Sequence, residues 1–436
     1  MPRFACLLAT AFVIAAGGAA RAQTDPPPLD ATAAPSAAPL PAAPVPAAEP
    51  APLVAPPEGV AVTTLAAPDA FTTPGRDTGL PADLWRGASL KTAQTVLPLL
   101  ATRPLSPAAA ALARRVLATG APGPQGGEKD PDLVGQRASA LIAQGDAKAA
   151  AAILIRAPAV DRNPELARVA AESALLAGND ARACRLAEGL SSGRDDVYWL
   201  RLRTYCQAIN GQTAQAQLTF DLAQAQSRDA TFGRLMGAKL AGGGDPGAPS
   251  LRNGLDYALS RGLGLDLTTA KPSPVVAAAL SGEDPAPLAL DPSGVAPDLA
   301  SLAEALARGE PVRDAVLQAL VETAASTDGK TRARGQAGLL LAVAVSGAAG
   351  PEIRGQMAAL GLPEGKAPLG RSLALEAAGE QKLMGEAALL SLWTCAEAGT
   401  AGPAIGDRIR MVRALHAVGL DADARAMALE GLLALK

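Results

Sequence analysis

Residues 130–150 read DPDLVGQRASALIAQGDAKAA, residues 163–183 read NPELARVAAESALLAGNDARA, and residues 196–216 read DVYWLRLRTYCQAINGQTAQA. Laid one above another, the three stretches repeat at a step of 33 residues. Asp130, Asn163, Asp196 and Asp229 recur at that step, and each carries a side-chain oxygen able to accept from the first free N–H groups of a helix. Pro131 and Pro164 take the favoured first helical position behind two of them. Gly145, Gly178, Gly211 and Gly244 keep the same step, where a left-handed residue ends one helix and opens a tight turn. Ala150, Ala183 and Ala216 put a small side chain where a second helix must approach the first. Cap, helix, glycine turn and second helix make one unit, and the unit recurs.

These residues resemble the tetratricopeptide-like repeats, whose length is one residue greater. Gly145 to Ala150 is similar to that family's turn, and Ala216, Phe220 and Ala223 match the small, aromatic, small spacing of its second helix. The resemblance covers residues 130–245 and implies an α-solenoid whose first helices line a concave groove. Tyr198, Arg201 and Tyr205 stand at i, i+3 and i+7 of the third unit and share one helix face, at positions similar to the family's groove-facing ones. The matching face one unit earlier carries Glu165, Arg168 and Glu172. The resemblance therefore implies a charged groove with an aromatic patch, a candidate site for a protein partner. Core packing is the competing expectation for the two tyrosines, and the favoured one for Trp199 and Phe220.

Outside the regular units, residues 79–126 predict an N-terminal helical pair, with Trp85, Leu90, Val96, Leu97 and Leu100 close to a helical period. The regular repeats extend over 127–262, and 263–436 predicts degenerate repeats in which Gly309, Gly347, Gly379 and Gly419 each close an apolar stretch. Residues 263–297, rich in Pro and Gly, mark a bend or an interruption. Nowhere do β-branched and aromatic residues alternate long enough for a sheet. The expected fold class is all-α, helical-hairpin repeats behind a Pro/Ala-rich N-terminal segment.

Residues 1–22 place Arg3 before a 13-residue apolar run and end in Ala20-Arg21-Ala22, the pattern of a secretory signal peptide cleaved near Ala22. The run is too short to span a bilayer core of about 30 Å, so no transmembrane anchor is expected after cleavage, and the location expected is periplasmic or secreted. Residues 23–78 consist largely of Pro and Ala and offer little apolar surface against the entropy of ordering; they predict a disordered spacer, of which residues 24–74 are expected to be dispensable for folding. This layout also resembles secreted proteins of high-GC bacteria labelled after antifreeze glycopeptides, a resemblance that implies no activity.

The chain carries 39 Lys and Arg against 42 Asp and Glu, a balance that argues against nucleic acid as a partner. Its single histidine excludes His-rich metal sites, and no motif implies a metal or a cofactor. Gly189 to Gly193 fits G-x-S-x-G, yet a helix rather than a strand precedes it and the one histidine, His416, lies more than 200 residues away. Gly242 to Gly247 satisfies G-x-G-x-x-G without the preceding strand that a dinucleotide site needs. Gly329-Lys330-Thr331 resembles the end of a phosphate loop, but Ala324 stands where that loop requires glycine.

Cys184 and Cys206 lie about equally far from the turn at residue 195, so antiparallel helices would bring them level and a disulfide is expected, with two buried thiols as the alternative. Cys395 and His416 show the same symmetry, and a thiolate–imidazole dyad competes there with plain packing. Taken together, the pattern predicts a non-enzymatic scaffold or adaptor binding a protein partner. The alternative is a cell-wall-associated enzyme or enzyme accessory acting on envelope polymer. An ice- or surface-active role is disfavoured because the tail lacks a regular tripeptide repeat.

Overall fold

Side-chain acceptors start the repeat helices as the spacing requires. In the computed structural model Asn163 accepts from the N–H groups of Glu165 and Leu166, Asp196 from that of Tyr198, and Asp229 from those of Thr231 and Phe232. The structure describes residues 71–436 except 128, 129, 131, 158, 159, 281–287, 348, 362–364 and 436; the signal-peptide reading, and the Pro/Ala-rich segment through position 70, lie outside the described residues. All described residues fall within the unit Thr64–Lys436.

Among the described residues there are nineteen α-helices and no strand, so the fold is all-α. The N-terminal pair is α1 (Leu90–Thr102) and α2 (Pro107–Ala118). The repeat hairpins are α3 (Leu133–Ala143) with α4 (Ala147–Ile155), α5 (Pro164–Leu176) with α6 (Asp180–Gly189), and α7 (Val197–Ile209) with α8 (Thr213–Gln226). Then come α9 (Ala230–Ala241), α10 (Gly254–Gly262), α11 (Pro274–Leu280), α12 (Ala300–Arg308) and α13 (Asp314–Ala324). The chain ends with α14 (Gly329–Ser346), α15 (Pro351–Ala358), α16 (Leu369–Glu380), α17 (Met384–Ala398), α18 (Ile405–Ala417) and α19 (Asp421–Leu433).

Gly145, Gly178 and Gly211 hold φ of 84°, 73° and 75° at the three hairpin turns, and Ala150, Ala183 and Ala216 are fully buried where the paired helices cross. Local details depart from the repeat in three places. In the first unit α3 begins behind Asp132, while Asp130 accepts from the Asp132 N–H and from Gln94 instead of capping the helix itself. In the fourth, α9 stops at left-handed Gly242, ahead of Gly244. No second helix follows at the expected place, because Pro246 and Pro249 lack the N–H donors a helix there would need. At Gly379 the expected helix end is absent: α16 runs on to Glu380, and Lys382 adopts the left-handed turn at φ 59°. Gly379 instead lets α18 approach, since a Cβ there would lie 3.3 Å from the Ala414 Cα.

A simple solenoid has contacts only between neighbouring units. Here the chain also closes on itself: α10 packs against α5, α17 packs against α1 and α2, and α19 packs against α2, so the N-terminal pair sits between the regular repeats and the last helices. One continuous core runs from Trp85, Leu97 and Leu112 to Leu389, Leu415 and Leu432, and a second core fills the space within α5 to α10. Order begins before position 79. Phe71 is 1% exposed with its ring centroid 4.9 Å from that of Trp85, and the Gly75 N–H donates to the Ala118 carbonyl. One phenylalanine in an otherwise Pro/Ala-rich stretch supplies the apolar area that docks it, about 1.5–3 kcal/mol on full burial. The guanidinium of Arg137 is fully buried under Phe71 and donates to the Leu117 and Thr119 carbonyls, which ends α2 with a cation in place of solvent.

Cys184 on α6 and Cys206 on α7 form the expected disulfide, with Cα atoms 5.5 Å apart. Among the described residues no helix is long and apolar enough to cross a membrane.

Candidate functional site

Helices α5 and α7 carry the six residues that the repeat pattern assigns to a groove, and the chain's own α10 meets that face. After α9 the backbone crosses back through turns at left-handed Gly242, Gly244 and Gly247, held by Arg234 donating to the Ala248 carbonyl at 2.6 Å. Asn253 caps α10, and its first residue, Gly254, donates its N–H to Glu172 Oε2 at 2.6 Å. Further along α10, the Arg261 guanidinium reaches both carboxylate oxygens of Asp180 at 2.6 and 2.7 Å, and the Tyr205 hydroxyl donates to the same carboxylate at 2.9 Å. Leu255, Ala258 and Leu259 of α10 enter the core formed by Leu175, Trp199, Tyr205 and Met236.

Each assigned residue thus has a definite place. Tyr205 is 1% exposed and belongs to the core; burial, and then the neighbouring Asp180 charge, push its hydroxyl well above the usual tyrosine value. Tyr198 is partly buried, its ring set edge-on to Trp199 with centroids 5.1 Å apart, and its hydroxyl is buried beside Glu172 without a hydrogen-bond partner among the described residues. Burial raises the pKa of Glu172, and the Gly254 N–H and the Tyr198 hydroxyl offset only part of that effect. Arg201 is half-buried: it donates to the Ser227 carbonyl at 2.9 Å, lies 3.5 Å from Asp229 and stacks over the Phe232 ring at 5.6 Å. Glu165 and Arg168 are exposed and paired with each other at 2.6 Å.

Asp229 does more than cap α9, for it also receives Arg252 at 3.0 Å. Burial works against its charge, but the Phe232 N–H and the Arg252 guanidinium together hold its carboxyl below the usual range. Arg252 in turn bonds Asp256, whose other partner is Ser250. Asp180, Arg252, Asp256 and Arg261, the residues that tie the return segment down, carried no signal in the repeat pattern beyond being charged.

What remains open on this face is a strip of Glu165, Arg168, Val169, Tyr198 and Arg201. Helix α8 adds Leu218 and Leu222, 65% and 54% exposed and one turn apart.

A second concavity of about 660 Å³ lies among α14, α15, α16 and α18 and is lined in part by His416. His416 Nδ1 is 2.6 Å from Asp421 Oδ1, whereas the Cys395 thiol is fully buried and pushed up to about 12, mainly by burial. No hydrogen bond links the two among the described residues. Ser191 of the G-x-S-x-G stretch donates to the Asp161 carbonyl in the loop between α6 and α7. Lys330 and Thr331 sit in the first turn of α14 behind the Asp328 cap. Among the described residues no group of three His, Cys, Asp or Glu side chains is placed to hold a metal ion.

Comparison of the chain with known proteins found no matching family model, curated protein or solved structure.

Proposed function

We propose that the protein is a non-enzymatic scaffold or adaptor of the periplasm that binds a protein partner along the open strip of α5 and α7. The observation that carries this reading is the state of Tyr198 and Arg201. Arg201 is anchored at its polar end by Ser227 and Asp229, and Tyr198 is held by edge-on packing against Trp199 with its hydroxyl buried beside Glu172, while part of each side chain stays accessible. Anchored aromatic and guanidinium groups lose little entropy on contact, and these residue types dominate binding energy at protein interfaces. The neighbouring Glu165–Arg168 pair supplies the polar rim of such a patch. The disulfide supports an oxidising compartment, in agreement with the signal-peptide pattern.

The burial of Tyr205 decides which variants test the proposal, because truncating it would disturb the fold itself. Glu165→Arg combined with Arg168→Glu reverses the exposed pair and leaves the core intact. Affinity capture from envelope extract, with mass spectrometry, is expected to recover one protein with the unmodified chain and to lose it with the reversed pair at an unchanged melting temperature. Equal capture by both proteins refutes the strip as the site. Turnover of an envelope sugar polymer by the purified chain would replace the proposal with a catalytic one.

A further inference from the structure

The C-terminal concavity combines an apolar floor with a surplus of cations. Leu340, Val343, Met357 and Ile409 supply apolar lining from α14, α15 and α18. Around them stand Arg354, Lys382, Arg410 and Arg413, against two carboxylates, Glu376 and Glu380. Of the four cations, Arg410 alone has a carboxylate within ion-pair distance among the described residues, Glu376 at 3.6 Å. Arg354 and Lys382 donate to the neutral carbonyls of Ala349 and Ala417, which leaves their charges uncompensated, and Arg413 is exposed with no carboxylate within ion-pair distance among the described residues. This surplus stands out in a chain whose formal net charge is −3.

One further polar group lines the same wall. His416 is held through Nδ1 by Asp421, and its Nε2, without a hydrogen-bond partner among the described residues, lies 2.5 Å from where a Cβ on Gly347 would stand. Gly347 is left-handed at φ 69° and ends α14, so it both turns the chain and leaves room for the imidazole. The volume falls in the range of small-molecule sites, about 300–1,000 Å³.

We propose that this concavity binds a small amphiphilic anion, an apolar chain ending in a carboxylate, with the head group between Arg354 and Arg413 and the chain on the floor of α14 and α18. Guanidinium forks match a carboxylate in shape and charge, and a neutral chain of the same length would leave the cations without a partner. The site is built from other helices than the α5–α7 strip and is independent of the function proposed for that strip.

The test uses the full chain and 8-anilinonaphthalene-1-sulfonate, an apolar anionic fluorophore, displaced by dodecanoate, dodecanol or dodecyltrimethylammonium below their micellar concentrations. Dodecanoate is expected to displace the fluorophore at a concentration at least tenfold lower than dodecanol, and the ammonium compound not at all. Arg354→Ala with Arg413→Ala changes two exposed residues; it is expected to weaken dodecanoate at least tenfold, leave dodecanol unaffected and keep the melting temperature. Hydrogen exchange with dodecanoate bound is expected to slow in α15 and α18. Equal potency of dodecanoate and dodecanol, wild-type affinity in the double variant, or protection confined to the exposed leucines of α8 would each overturn the proposal.

Discussion

Replacing Gly254 with alanine sets two physical effects against each other, and the structure decides the sign. Alanine in a helix is favoured over glycine by about 0.5–1 kcal/mol, so an exposed first-turn glycine would gain stability on substitution. Gly254, however, is buried where α10 meets α5: a Cβ would stand 2.8 Å from Glu172 Oε2 and 2.9 Å from the Glu172 backbone oxygen. The carboxylate could swing away, but the backbone oxygen of a packed helix cannot. Ordinary contact begins near 3.4 Å, so α10 must withdraw from α5 by about half an ångström, which also stretches the Gly254 N–H bond to Glu172. Overpacking of this kind costs about 1–3 kcal/mol, more than the propensity gain over most of that range. Gly254→Ala is therefore expected to destabilise the protein by roughly 1–2 kcal/mol, and by more if that hydrogen bond breaks. Urea denaturation gives the change in stability, and hydrogen exchange over residues 251–262 should show it concentrated in α10. A variant as stable as the parent, or more so, would refute the close docking of α10.

Named residues elsewhere in the chain set four other outcomes. Because burial raises the pKa of Glu172 in the folded chain, the stability linked to it is present below the ordinary carboxylate value and lost as pH rises through the raised one; Glu172→Gln should flatten the fall of the urea midpoint as pH rises above the ordinary carboxylate range, and a difference from wild type that does not vary with pH would sink this. Phe71→Ala removes a ring packed on Trp85 and should cost about 3–5 kcal/mol, whereas a chain starting near Gly79 that melts like the full one would show the segment to be dispensable after all. Reduction of Cys184–Cys206 reopens a loop with a sequence separation of 22 and should lower stability by about 3 kcal/mol, read from denaturation with and without reductant; equal midpoints would count against it. Cys395, with its thiol pushed up to about 12, should resist iodoacetamide in the native state at pH 8 and react only after unfolding; rapid native labelling would contradict its burial.

What could be read from the chain alone was what depends on nearby residues. The caps at Asn163, Asp196 and Asp229, the turns at Gly145, Gly178 and Gly211, and the pairing of Cys184 with Cys206 across the turn between two repeats all involve separations shorter than one repeat. The return of α10 onto α5 rests on a bond between residues 82 apart, and nothing in the period marks Gly254 as the partner of Glu172. Helical spacing does put Tyr198, Arg201 and Tyr205 on neighbouring turns, but it says nothing about what covers them. Asp180 accordingly buries the Tyr205 hydroxyl while Tyr198 stays half open. The C-terminal concavity draws its cations from α15, α18 and the turn at Lys382, so no sequence window contains it. Phe71 was hidden by composition, since one aromatic residue hardly alters the average of a Pro/Ala-rich segment.

The closure of the last helices onto the first pair also sets a clock on biosynthesis. Ser89 and Thr92 hydrogen-bond Glu386, and the Ala108 N–H donates to Glu430, across 297, 294 and 322 residues. At a synthesis rate of about 5–20 residues per second, Glu430 leaves the ribosome about 15–60 s after Ala108. Throughout that interval α1 and α2 have α3 to pack on but lack the covering surfaces of α17 and α19, and the nascent chain stays open at its leading end.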